Sequence, residues 1–394
     1  MIGEHSILAS SASGIWGKPN GCTGYVSMAQ QCPELGDDQD AKEGSATHDI
    51  GSELIDYAAR GVNSTTAEEY IGEEASTGVI YNEERIDAAK IYADDVANIM
   101  RSVAVFGGPN FGNEERVECP SIHPRAFGTT DQFIYHDRSD GGDLYLWDFK
   151  YGHEFVEVFE NWQLTNYTSG IIEDRANIRN WIPSKVKVHF RIVQPRAFHK
   201  DGPIREWVTT LDVILKNIDI LRVNAAISLS DKATLRTGSH CKHCQARIAC
   251  PPALEAGLGM FECTGKPVPV DLSPQALGVQ YALIERCYEQ IKSLRTGFNE
   301  QVKSLARKGV NTPGWLIEQG YGNEKWAKPV SEVIALGNIF KIDLKKPDEA
   351  ITPVQARNKG IDDAVIKEYS TKPKTSIKVV RDDGTKLKLI FGDK

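Results

Sequence analysis

The chain has 394 residues, 41% of them apolar and 25% charged, with a net charge of −8. That length exceeds what one core usually needs, so a large domain with a smaller appendage is expected. No apolar run approaches the ~20 residues of a spanning helix, and Met1-Ile-Gly-Glu-His-Ser is not a basic region leading into an apolar stretch; the expectation is no membrane segment, no secretory signal and a cytoplasmic location.

Glu43 to Arg60 carries Ile50, Leu54 and Ala58 on one face with Gly61 just beyond, which predicts an amphipathic helix with His48 in its first turns. Asn82 to Val105 predicts a second, with Ile86, Ala89, Ala93, Val96 and Met100 at helical spacing and Gly107-Gly108 after it. The period then changes. Arg116-Val-Glu-Cys-Pro, Asp131-Gln-Phe-Ile-Tyr-His and Leu144-Tyr-Leu-Trp-Asp-Phe-Lys read as three strands of a meander, with Ser139-Asp-Gly-Gly as the turn between the last two. Phe159 to Glu173 returns to helix, Lys185 to Val193 alternates as a strand, and a helix is expected from about Arg205 to Ala226. This order predicts an α/β (α+β) chain with a mixed sheet flanked by helices. Gly265-Lys-Pro-Val-Pro marks a boundary, giving domains 1–265 and 266–394. The second part opens with a long helix, Gln275 to Lys308, and closes with a hairpin at Asp383-Gly384. It holds 22 Lys+Arg against 16 Asp+Glu, net +6, so residues 1–265 are at −14. A basic appendage on an acidic body is compatible with DNA binding, as it is with solvated surfaces of either sign. Trp315 and Trp326 are read as core residues, with stacking on single strands as the competing role.

Asp148 and Lys150 are two apart on a predicted strand, so both side chains leave one face of the sheet. There a carboxylate can hold Mg²⁺ or Mn²⁺, an ammonium can orient or help deprotonate an attacking water, and the Phe149 carbonyl offers another oxygen. By itself the pair is better described as a cross-strand surface ion pair. Asp131, following Gly128-Thr-Thr at the start of the preceding strand, would face Asp148 through hairpin pairing, and two facing carboxylates favour a cation. Gln163 and Tyr167 share a helix face, where an amide and a phenol can reach along a phosphate backbone. His48 can add an imidazole to the metal, and Glu118 a further carboxylate.

Of eight cysteines (22, 32, 119, 241, 244, 250, 263 and 287), Cys119 and Cys287 lie in apolar or helical stretches and read as core. Cys241, Cys244 and Cys250 fall within ten positions among polar neighbours, which suits thiolates converging on a metal. Four thiolates fit either Zn²⁺ or an iron–sulfur cluster, and His240 or His243 can substitute in a zinc site.

Gly44-x-x-x-His48, Gly128-x-x-Asp131, Asp148-x-Lys150 and Gln163-x-x-x-Tyr167, in this order, resemble the motif series of RecB-type nucleases in the PD-(D/E)XK superfamily. The C-x2-C-x5-C run with one cysteine near the N-terminus resembles the AddB-type subset, in which four cysteines hold a [4Fe-4S] cluster. The layout of residues 5 to 265 is similar to phage-encoded proteins of this superfamily. The resemblance implies a restriction-endonuclease-like core, with His48, Asp131, Asp148 and the Phe149 carbonyl as metal ligands and Lys150 as the catalytic lysine. It implies Gln163 and Tyr167 as DNA-contacting or site-ordering groups, and Cys22 or Cys32, with Cys22 favoured, as the partner of Cys241, Cys244 and Cys250. The implied activity is a Mg²⁺- or Mn²⁺-dependent DNA exonuclease in recombination or DNA-end processing, beside a strand-annealing protein and in a homo-oligomer. The competing expectations are a non-catalytic DNA-binding or assembly protein with this fold, and a zinc-stapled structural protein.

Overall fold

The computed structural model describes residues 8–32, 39–61, 64–138, 141–175, 181–197, 199, 202–264, 272–321, 325–326, 328–346, 349–350, 352–353, 356, 360–371 and 374–381. Two compact units divide between Phe298 and Asn299. The sequence marked its boundary at 265, and Gly265-Lys-Pro-Val-Pro lies outside the described residues.

The first unit is built on a five-stranded mixed sheet in sequential order, β1 (Phe111–Glu118), β2 (Phe127–Arg138), β3 (Gly141–Phe149), β4 (Val186–Val193) and β5 (Ile204–Thr210). Only β3 and β4 are parallel; their crossover contains a helix, as parallel neighbours require. The expected helix from Arg205 needs correcting: residues 204–210 are the edge strand β5, and the helix begins at Leu211. Ile-Arg-Glu-Trp-Val-Thr-Thr runs into that helix without a turn residue, so the helical period downstream masks the strand.

Helices cover both faces. α1 (Ser13–Trp16), α2 (Tyr25–Gln30), α5 (Trp162–Asp174) and α6 (Leu211–Ser228) pack on the face carrying Phe133, Tyr135, Leu144, Leu146, Phe190 and Ile192. α3 (Gln39–Ala59) and α4 (Glu83–Val103) pack on the opposite face, carrying Ile134, Trp147, Phe149 and Val193. The period-2 alternation of the strands thus feeds two cores, one per face. α4 starts at Asn82, whose side chain accepts from the Arg85 N–H, and stops at Ala104 in the left-handed conformation, ahead of the expected glycines. Ser139 and Asp140 lie outside the described residues; Arg138 and Gly141 on either side are paired.

After α7 (Pro251–Thr264) comes α8 (Pro274–Arg307), a helix of 34 residues. Within the first unit, the Gln290 amide of α8 donates to the Ala253 carbonyl at 3.1 Å and the Ser293 hydroxyl to the Cys241 carbonyl at 3.3 Å. These anchors are why the division falls within the helix rather than before it.

The second unit pairs β6 (Trp315–Tyr321) with β11 (Lys374–Arg381). β7 (Lys325–Trp326) pairs with β10 (Ser370–Thr371), and β8 (Lys345–Lys346) with β9 (Glu349–Ala350). Its helices α9 (Val330–Ile339) and α10 (Asp363–Tyr369) share a small core of Val333, Leu344, Ala356, Ile361 and Ile366. Trp326 packs against that core, whereas Trp315 is 45% exposed, contrary to the expectation that both are core. The Asp383-Gly384 hairpin lies outside the described residues. No helix among the described residues is long and apolar enough to cross a membrane.

Candidate functional site

The antiparallel register of β2 and β3 pairs Gln132 with Trp147. Carried one step further it sets Asp131 opposite Asp148, at the end of the sheet where β3 stops. The Phe149 N–H donates to Asp131 Oδ2 at 2.6 Å. His48 reaches this end of the sheet from α3. Its Nε2 lies 2.8 Å from the Phe149 carbonyl oxygen, and its Nδ1 lies 3.8 Å from Asp131 Oδ2.

A third carboxylate joins them, and it is not Glu118. Glu118 is exposed and pairs with Arg116 at 2.9 Å. Glu114 takes the place: its Oε1 is 3.4 Å from His48 Nδ1, and ligand atoms of His48, Glu114 and Asp131 all lie within 4.8 Å of one another. Glu114 sits between the paired residues Asn113 and Glu115 on β1, with a left-handed backbone (φ 46°). A non-glycine residue pays for that conformation, and such strain concentrates where a side chain must be aimed. No sequence signal marked Glu114; either Glu of Asn113-Glu-Glu-Arg reads as an ordinary charged surface residue.

Asp148 is fully buried. Its Oδ1 accepts from Lys150 Nζ at 2.6 Å, while its Oδ2 has no hydrogen-bond partner. The His48, Glu114 and Asp131 group suits a hard divalent cation; Asp148 lies outside that 4.8 Å group, and its orphaned oxygen is a further oxygen donor at the same end of the sheet. Burial raises the pKa of both Asp131 and Asp148; His48 and Lys150 pull Asp131 back, and Lys150 does so for Asp148. Burial also opposes the charge on His48, but the Asp131 and Glu114 carboxylates outweigh it and bring its pKa to about 9. Lys150 behaves alike: burial lowers its pKa, and Asp148 with Asp131 more than restores it, so the net shift is upward. Lys150 is therefore held as an ammonium, a hydrogen-bond donor rather than a base.

α5 brings in the remaining pair. Asn161 caps it by accepting from the Leu164 N–H, and Gln163 donates to the Tyr167 hydroxyl at 2.8 Å. Tyr167 is buried and also hydrogen-bonds Ser10; burial raises its pKa to about 12. It orders the site from within rather than lying open to a phosphate backbone. Gly128 is required here, because a Cβ at that position would come within 2.5 Å of the Tyr167 ring and 2.7 Å of Ser10 Oγ. Gly44 has open space instead, so packing does not account for it. Near the N-terminus, Ser13 Oγ accepts from the Asn166 amide at 3.0 Å under α5.

The cysteines form a second site. Cys22, Cys241, Cys244 and Cys250 are all buried and line one small cavity. Cys32 does not line it; its thiol bonds the Met28 carbonyl. Backbone N–H groups of Arg236 and Gly238 point at the sulfurs of Cys22 and Cys241, each at 3.4 Å. Burial raises the pKa of Cys22 and Cys241 and brings Cys244 to about 12. Among the described residues, no three of these sulfurs lie within 4.8 Å of one another. His240 lines the same cavity, with its Nε2 bonded to the Arg236 carbonyl, whereas His243 approaches Glu154. The N-terminal segment is held here by protein contacts as well: Gly24 N–H donates to the Thr234 carbonyl, and the Asn224 amide to the carbonyls of Gly17 and Lys18. Cys119 and Cys287 are buried away from this cavity, as expected of core cysteines.

A family model described as "Protein of unknown function (DUF2800)" matches residues 5–373. No curated protein matches the chain.

Proposed function

The chain belongs to the DUF2800 family, and we propose that it is a metal-dependent nuclease of the PD-(D/E)XK type that hydrolyses DNA phosphodiesters. One observation carries the proposal: Glu114 and Asp131 converge with His48, ligand atoms within 4.8 Å of one another, at the end of the sheet where Asp148, paired with Lys150, has a buried oxygen without a partner. Three carboxylates against two cations leave room for a further positive charge.

His48, Glu114, Asp131 and Asp148, with the Phe149 carbonyl, would hold Mg²⁺ or Mn²⁺. When bound, such an ion lowers the pKa of its water and withdraws charge from the phosphate. Lys150 donates hydrogen bonds to the attacking water or to a phosphate oxygen, and its charge offsets the negative charge that develops there. Asp148 holds that ammonium in place. Gln163 and Tyr167 fix the floor of the site through Ser10 and Gly128. The cysteine site would hold a [4Fe-4S] cluster or zinc, and the resemblance of the C-x2-C-x5-C run with its distant Cys22 to the cluster-binding subset favours the cluster. Its role would be structural, joining the Cys22 segment to Cys241, Cys244 and Cys250.

The test uses anaerobically purified protein with linear and closed-circular duplex DNA, in Mg²⁺, Mn²⁺ or chelator. Metal-dependent loss of the linear form, absent in Lys150→Ala and Asp131→Asn, is the expected result and would make the enzyme end-dependent. Absence of cleavage under every metal, with DNA still retained in a gel-shift assay, would replace the proposal with a non-catalytic DNA-binding protein.

A further inference from the structure

Helix α8 buries one face and leaves a regular apolar seam on the other. Within the first unit, its inner face is small and polar: Cys287, Gln290, Ser293 and Gly297 are buried. A Cβ at Gly297 would come within 2.5 Å of Ile248, so the helix lies close against the cysteine-bearing segment. The outer face carries Leu277, Tyr281, Ile284, Tyr288, Ile291 and Phe298, all exposed, between 47% and 66%.

The spacing of these residues alternates four and three, with Arg295 filling the one position between Ile291 and Phe298. A strict 3–4 alternation is a repeat of 3.5, the pattern of a helix that pairs with one other helix in a left-handed coiled coil. Such a stripe is narrower than a bilayer-binding face, and Glu285, Arg286, Glu289 and Lys292 border it.

We infer that α8 is a dimerisation helix, and that its outer seam pairs with the same seam of a second copy of this chain, antiparallel about a two-fold axis near Glu289 and Gln290. Charge decides the direction. In a parallel, in-register pair, Arg295 would face its own copy across the seam. In the antiparallel pair Tyr288 lies opposite Ile291 of the second copy, and Tyr281 opposite Phe298. Arg295 then lies beside Ile284 and Glu285 of the second copy, and the two-fold axis makes that attraction twice. An exposed apolar stripe of this length also calls for cover.

The experiment is sedimentation of the full chain, purified anaerobically, over about 1 to 100 µM. A mass of twice the chain, falling to one chain in Ile291→Lys with unchanged helix content by circular dichroism, is expected. Glu285→Arg and Arg295→Glu should each weaken the dimer at least tenfold, and the double swap should restore it. A wild-type chain that stays single at 100 µM overturns the proposal, since the seam would then be covered within the chain or by another protein. So does a dimer indifferent to Ile291→Lys, or one that the double swap fails to restore.

Discussion

Gly128→Ala isolates the part of the site that depends on close packing rather than charge. The added methyl would stand 2.5 Å from Tyr167 Cε1 and 2.7 Å from Ser10 Oγ, both closer than real contacts allow. Gly128 is paired with Val117 inside the sheet, so its backbone cannot readily yield, and the ring and hydroxyl must move instead. Overpacking of this kind costs about 1–3 kcal/mol, and losing the Gln163–Tyr167 hydrogen bond adds about 1 kcal/mol. Urea denaturation in chelator, followed by near-UV circular dichroism, measures the loss; cleavage of linear DNA should fall with it while metal binding stays intact. Tyr167→Ala alone should cost about 3–5 kcal/mol through its cavity. In the double variant the clash with the ring is gone and only that with Ser10 remains, so the combined cost should fall below the sum by about 1 kcal/mol. Stability of Gly128→Ala within about 0.5 kcal/mol of wild type, an ordinary surface effect, or strict additivity in the double variant, refutes the reasoning.

Above about pH 9, where His48 is neutral and its interaction with Glu114 no longer counts, Glu114→Gly should stabilise the metal-free protein by roughly 0.5–1 kcal/mol, because glycine adopts the left-handed backbone freely, and should weaken metal binding; calorimetry alongside urea denaturation reads both. With a folded-state pKa of about 9 against an ordinary 6.5, protonated His48 contributes stability to the metal-free protein that is complete below pH 6.5 and lost as pH rises through about 9. His48→Gln should flatten that stretch of the stability profile, and an unchanged profile would deny His48 its charge. Since the imidazole must lose that proton to bind a cation, metal affinity should rise from pH 7 to 9 with proton release on binding, measured by titration in buffers of different ionisation enthalpy. Cys22→Ser should lower iron content and visible absorbance, and Cys32→Ser should leave both unchanged; the reverse outcome would exchange their roles.

The sequence by itself determined the parts whose signal is local. Period and end signals mark α3, α4, α5 and α8 within a few residues, and alternation marks β2, β3 and β4. The two-residue step from Asp148 to Lys150 puts both on one side of a strand whatever surrounds it. β5 was lost because its seven residues lead straight into α6 without a turn residue, so two periods overlap. Tertiary structure alone chose Glu114 over Glu118, since the choice depends on which residue of β1 lies opposite Asp131 and turns left-handed there. It alone put Ser10 beneath Tyr167 across more than 150 residues of chain, and turned Gly128 from a motif letter into a steric need. The same holds for α8. Its seam is legible as spacing, but Leu283, Cys287 and Leu294 draw a second stripe on the same helix, and only packing against the cysteine segment decides which of the two faces is left for a partner.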